Sequence, residues 1–277
     1  MKLIKGYNQK IIETPTYIEI WEYEKLIRYR KAKDETVKPK LDWIEAIETR
    51  KTYDQLSAQG QYDSLKRKQK HYKNMRFDIA RLVDTNFDAQ TKFLTLTFKE
   101  NIQEIEYTNS EFKKFIKRLN YQLYKTKKSQ IRYLATWEKQ KRGAIHYHII
   151  LFKFPYVLHE KLMKIWGHGN VWINKIDVDS IENRGRYVSK YFDKELDIKE
   201  HKKKAFFKSQ NLKLPREERK LVTESYNVAS EKVLFEKTYI RRSPEFTIKR
   251  DETGDMQQSI YFEESEVRYT KIKKKYD

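Results

Sequence analysis

From residue 92 onward the order of elements is strand, helix, strand, strand, helix, strand, and this order predicts an α+β fold. It is that of a split β-α-β sandwich, ferredoxin-like or RRM-like, with helices on one face of an antiparallel sheet and the other face left for a site. Two further observations support it. The strand runs are rich in β-branched and aromatic residues. The chain is also 38% apolar and 14% aromatic, enough to build a core despite 36% charged residues.

In order, Phe93-Leu94-Thr95-Leu96-Thr97-Phe98 reads as a buried strand. Thr108-Asn109-Ser110-Glu111 has capping-box spacing, and Phe112, Phe115, Ile116, Leu119 and Leu123 then mark the apolar face of a helix ending near Lys127. Residues 131–137 and 145–152 are strands joined by a basic turn containing Gly143. A short helix over about 158–166 is broken by Gly167-His168-Gly169-Asn170, and a strand over 171–177 precedes a helix over about 181–196. Three segments follow from this reading. They are a charged, helix-rich extension over 1–85 with a helix near 64–83, a catalytic domain over 86–198, and a basic extension over 199–277; both extensions are expected to be largely helical or partly ordered.

The two central strands carry the chemistry. In a strand, His146 and His148 share a face with Ile150 and Phe152. If the hairpin folds about Arg142, Glu138 falls opposite His146, within cross-strand reach. One carboxylate and two imidazoles suit Mg²⁺ or Mn²⁺, with positions open for a substrate oxygen. A His-x-His pair is by itself more often two ordinary half-buried side chains.

Charge indicates the partner. Sixty Lys and Arg against forty Asp and Glu give a net +20, which favours a polyanion because neutralised phosphates release counterions. The excess is concentrated next to the histidines, where residues 111–142 hold eleven Lys and Arg against two Glu. Lys139, Lys141 and Arg142, with Lys194 further on, are candidate DNA contacts. Without cysteine there is no disulfide framework, thiolate metal site or cysteine nucleophile. No apolar leader or span of about 18 residues is visible, so a cytoplasmic protein with no membrane partner is expected.

Metal, histidines and basic surface together suggest phosphoryl transfer, and a nucleophile is needed. Tyr187, Lys190, Tyr191 and Lys194 stand at i, i+3, i+4 and i+7, one stripe of a helix. A phenol is a poor nucleophile at neutral pH until a nearby cation favours its ionised form. Taken alone, the stripe is equally an amphipathic surface on which tyrosines lean on lysine stems.

The strand Phe93–Phe98, Glu138 eight residues before His146-Tyr147-His148, and Tyr187-Val188-Ser189-Lys190-Tyr191 together resemble the three ordered motifs of the HUH endonuclease superfamily. The likeness spans about residues 90–196 and is nearest to rolling-circle replication initiators of small bacterial plasmids and phages. The Tyr-x-x-Lys-Tyr segment is similar to that of the two-tyrosine initiators of microvirus-type phages. The resemblance implies a sequence-specific nickase and strand transferase that holds the 5′ phosphate on tyrosine. His146, His148 and Glu138 would bind the metal, Tyr187 and/or Tyr191 would attack, and Lys190 would assist. It implies single-stranded or hairpin origin DNA as substrate. With no Gly-Lys dipeptide there is no P-loop, so a host helicase and DNA polymerase are expected partners. The alternatives are a relaxase or single-strand transposase of the same superfamily, using His159 or His168 as a third histidine, or a non-catalytic nucleic-acid-binding module.

Overall fold

The computed structural model describes residues 6–28, 53–176, 206–224, 226, 232–250 and 256–274. The chain forms two compact units, one of Thr52–Leu214 and one of Met1–Lys51 with Pro215–Asp277. The boundaries therefore fall near 51 and 214 rather than near 85 and 198.

The strands of the first part of the chain are β1 (Gly6–Glu13) and β2 (Tyr17–Arg28), followed by α1 (Ala58–Asn86). The central domain continues with β3 (Lys92–Thr97), α2 (Ile105–Tyr124), β4 (Arg132–Lys139), β5 (Ile145–Phe152), α3 (His159–Trp166), β6 (Val171–Lys175) and β7 (Phe206–Lys208). Its sheet has the order β6-β3-β5-β4-β7 with every pair antiparallel. The first four of its strands in sequence thus lie in the order 4-1-3-2, the ferredoxin-like arrangement that the sequence predicts. β7 is added to the outer edge of β4.

Alternation along the strands sorts the two faces. Leu94, Leu96, Trp137, Ile145, Tyr147, Ile149 and Leu151 point to one side, where α2 and α3 cover them with Phe112, Phe115, Leu119, Leu162 and Trp166. Trp166 is fully buried and its indole N–H donates to the carbonyl of Thr97 at 2.8 Å, which ties α3 to the end of β3. On the opposite face Leu134, Ile150 and Phe152 pack against Ile79, Leu82 and Val83 of α1. This face is therefore not bare, because one turn of a third helix covers the end that carries only apolar residues.

α1 starts at Ser57, whose hydroxyl accepts from Gly60 N at 3.2 Å, and it runs beyond the expected 64–83 at both ends. α2 begins earlier than the capping-box spacing suggests. Its N-cap is Glu104 without a side-chain bond, and Thr108 lies inside the first turns with its hydroxyl on the carbonyl of Ile105. The supposed cap residues are used for tertiary contacts instead. The buried Tyr147 hydroxyl meets Thr108 Oγ1 at 3.2 Å and donates to Asn109 Oδ1 at 2.7 Å.

The other unit corrects the expectation of helical extensions. Together with β1 and β2, the strands β8 (Arg216–Lys220), β9 (Val233–Arg250) and β10 (Met256–Lys273) form a second antiparallel sheet, ordered β8-β1-β2-β10-β9. Ile12, Tyr17, Ile20, Val267 and Ile272 are its buried apolar residues. Its charges pair across strands, as in Lys25 with Glu263 at 2.7 Å and Arg268 with Glu236 at 2.7 Å. The Lys-rich composition that suggested disordered or helical tails is the exposed side of these strands.

Residues 177–205, including the expected helix with Tyr187, Lys190, Tyr191 and Lys194, lie outside the described residues. No helix among the described residues is long and apolar enough to cross a membrane.

Candidate metal centre

The hairpin of β4 and β5 fixes the site. Its register pairs Glu138 with His146 and Thr136 with His148, and β3 supplies Thr97 opposite His146 and Thr95 opposite His148. Side chains directly opposite in an antiparallel pair share a face, so these residues converge on the side away from α2 and α3.

Glu138 Oε2 is 2.8 Å from His148 Nε2 and 3.1 Å from His146 Nε2. The rings of the two histidines lie 4.7 Å apart, tilted by 66°. His148 is held on three sides: Nε2 on Glu138, Nδ1 at 3.2 Å from the Thr95 hydroxyl, and its ring stacked 5.5 Å from Phe93. His146 is different. Its approach to Glu138 is off the line of a hydrogen bond, and both ring nitrogens are buried without a hydrogen-bond partner. Burial pushes the Glu138 carboxyl up, but the two imidazoles outweigh this and hold it below the usual carboxylate range. It is therefore a carboxylate at neutral pH.

These three residues are a set that can hold a metal ion, with one donor atom from each lying within 4.8 Å of the others. The orphaned nitrogens of His146 are the test of fit. A buried polar group without a partner costs about 1–3 kcal/mol, and a cation at Nε2 removes that cost. The donor set of one carboxylate oxygen and two imidazole nitrogens leaves most positions of a six-coordinate ion open. The Thr95 hydroxyl on Nδ1 fixes the orientation of the His148 ring, as a second layer around a metal does. Thr95 and Phe93 went unremarked in the sequence because both sit in a run that reads simply as a buried strand. Only the placement of threonines at alternate positions among leucines distinguishes their face.

The other histidines are engaged elsewhere. His159 Nε2 lies 2.7 Å from the carbonyl of Val171, and His168 Nε2 lies 2.9 Å from Glu111 Oε2 while its ring packs on Phe98 and Trp166. Neither joins the triad. Lys139 and Lys141 are exposed at the hairpin turn, whereas Arg142 donates to the carbonyl of Phe98 at 3.0 Å and to Gln140 Oε1 at 3.2 Å.

Glu111 gives a pH test of the fold beside the site. Its side chain is 8% exposed, and the Lys114 ammonium at 2.6 Å holds the carboxyl below its ordinary 4.5 against the opposing effect of burial, with His168 adding to the lowering. A carboxyl lowered on folding contributes stability that is fully present above about 4.5 and is lost as pH falls through the lowered value. Between about pH 6 and pH 3 the thermal midpoint of the native chain should therefore fall more steeply than that of Glu111→Gln. Parallel slopes would show that the cluster adds nothing.

The fold and site define a class: a ferredoxin-like α+β domain with a candidate divalent-metal centre on the free end of one sheet face. Residues 91–196, which contain the first four strands of that sheet and the whole triad, match the family model of replication-associated proteins of the ORF2 type. The match supports a replication initiator. No curated protein and no solved structure matches the chain.

Proposed function

We propose that the chain is a rolling-circle replication initiator of the HUH type, a divalent-metal-dependent, site-specific nickase and strand transferase acting on single-stranded or hairpin origin DNA in the cytoplasm of a bacterial host. The observation that carries this reading is the convergence of Glu138, His146 and His148 within the segment that matches replication-associated proteins. Glu138 Oε2 and the two Nε2 atoms would hold Mg²⁺ or Mn²⁺. Bound there, the ion supplies Lewis-acid polarisation of a phosphate oxygen and neutralises its charge.

The chain's own residues do the rest. Tyr187 or Tyr191 attacks the phosphorus, an Oη–P bond forms, the P–O3′ bond breaks, and the phenol's proton is transferred to the departing 3′ oxygen. The number of phosphodiester bonds is unchanged, so a 3′-OH can later reverse the step without ATP. Lys190 and Lys194 favour the phenolate. Lys139 and Lys141 at the turn offer cations to the backbone. The 3′-OH serves a host polymerase, and a host helicase separates the strands.

The test is a pool of labelled single-stranded oligonucleotides of random sequence, incubated with the protein and Mn²⁺. A denaturant-resistant protein-DNA adduct is expected, selective for a subset of sequences and prevented by a chelator. A non-catalytic binding module leaves no adduct, and that result would remove the reading.

A further inference from the structure

Beside the triad lies a pocket of about 620 Å³ lined by Thr97, Lys99, Gln140, Arg142, Asn170 and Trp172, among others. It shares its wall with the metal centre, because Thr97 is the cross-strand partner of His146. Trp172 belongs to the same face, since it pairs with Thr95, which in turn pairs with His148. Two inter-strand spacings separate it from His148, about 10 Å.

Trp172 is the unusual residue. It is 50% exposed, whereas Trp137 and Trp166 on the covered side of the sheet are buried, and among the described residues no aromatic ring stacks on it. On an edge strand an indole of this size left half in water has no role in the core, which the neighbouring Val171 and Ile173 already serve. Around it the pocket offers two side-chain amides, Gln140 and Asn170, and two cations, Lys99 and Arg142. The guanidinium of Arg142 is fixed by the carbonyl of Phe98 and by Gln140. Asn170 is fixed as well, because the loop is pressed onto the end of β3. Its carbonyl accepts from Thr97 N at 3.0 Å, and a Cβ on Gly169 would run into the carbonyl of Thr97. The walls are therefore preformed.

An aromatic face, amide donors and acceptors, and flanking cations are the chemistry that binds one unstacked base of a single strand. We propose that this pocket takes a nucleobase neighbouring the phosphate held at the triad, stacked on Trp172 with its edge met by Gln140 and Asn170. The proposal rests on the reading of the triad as a site for single-stranded DNA, and it assigns to the pocket a share of the sequence preference. Phosphate contacts carry no base information, so such a share must come from a site that touches bases.

The experiment compares the native chain, Trp172→Ala and Trp172→Phe for binding to a thymidylate 20-mer and to an abasic 20-mer of equal charge, at one salt concentration and in EDTA so that no cleavage intervenes. Trp172→Ala should weaken binding of the thymidylate strand by about 5- to 100-fold and leave the abasic strand unchanged, while Trp172→Phe keeps most of the affinity. Equal losses on both strands, or none on either, would overturn the pocket. Adduct formation with Mn²⁺ is scored separately. A base-dependent effect of Trp172 without any adduct supports the pocket and overturns the nickase, whereas an adduct with no effect of Trp172 does the reverse.

Discussion

His148→Ala will lose metal-dependent strand cleavage by at least about 100-fold while holding single-stranded DNA within about threefold of the native affinity. The separation follows from where the two free energies arise. Affinity comes from phosphate neutralisation by a chain of net charge +20, spread over many side chains. The reaction depends on one cluster, in which His148 Nε2 lies 2.8 Å from Glu138 and its other nitrogen is braced by Thr95 at 3.2 Å. Even loss of a residue behind a metal ligand typically costs about 10- to 100-fold, so loss of the ligand itself should cost no less. Thr95→Val, which keeps the imidazole and removes its brace, should fall between the native chain and His148→Ala. Cleavage and DNA binding are measured on the same preparations, with a thermal melt to show that each variant folds. Full cleavage by His148→Ala would remove the metal site from the mechanism.

The site was legible in the sequence because it depends on local geometry. A strand alternates with period two and a tight hairpin fixes its own register, so the pairing of Glu138 with His146 follows once the turn is placed at Arg142. The sheet order of the central domain was legible for a similar reason, since few topologies accept that succession of strands and helices. What escaped was non-local. β2 pairs with β10 through residues such as Trp21 and Tyr269, nearly the whole chain apart, and no local pattern announces such a partner. Their charged outer face makes each strand read as a solvated tail until its neighbours are known. The cover of Ile79, Leu82 and Val83 over Leu134 and Ile150 was likewise hidden, because an amphipathic helix shows that it packs but not on what. Thr108 and Glu111 were misread because a capping-box spacing is equally a pair of polar side chains facing the interior of a helix. There Thr108 meets Tyr147, and Glu111 meets His168.

The double substitution Tyr187→Phe with Tyr191→Phe will abolish the covalent adduct, and each single substitution will retain part of it. On a helix the two residues are four positions apart, about 6 Å along the axis, so both hydroxyls can reach one phosphate held at the triad. Each also has a lysine three residues on, Lys190 after Tyr187 and Lys194 after Tyr191, so each phenol has its own cation to favour ionisation. Two equivalent nucleophiles have a use in a replicating circle. One holds the 5′ end while the other attacks the regenerated origin, and the roles then exchange without release of the strand. Tyr187 is proposed as the first to act. The measurement is the yield of denaturant-resistant adduct with Mn²⁺ for the native chain, both single variants and the double variant, with single-strand affinity in EDTA as the control for folding. If Tyr187→Phe alone removes all adduct while Tyr191→Phe is near native, the exchange does not occur, and Tyr191 packs beside a single nucleophile.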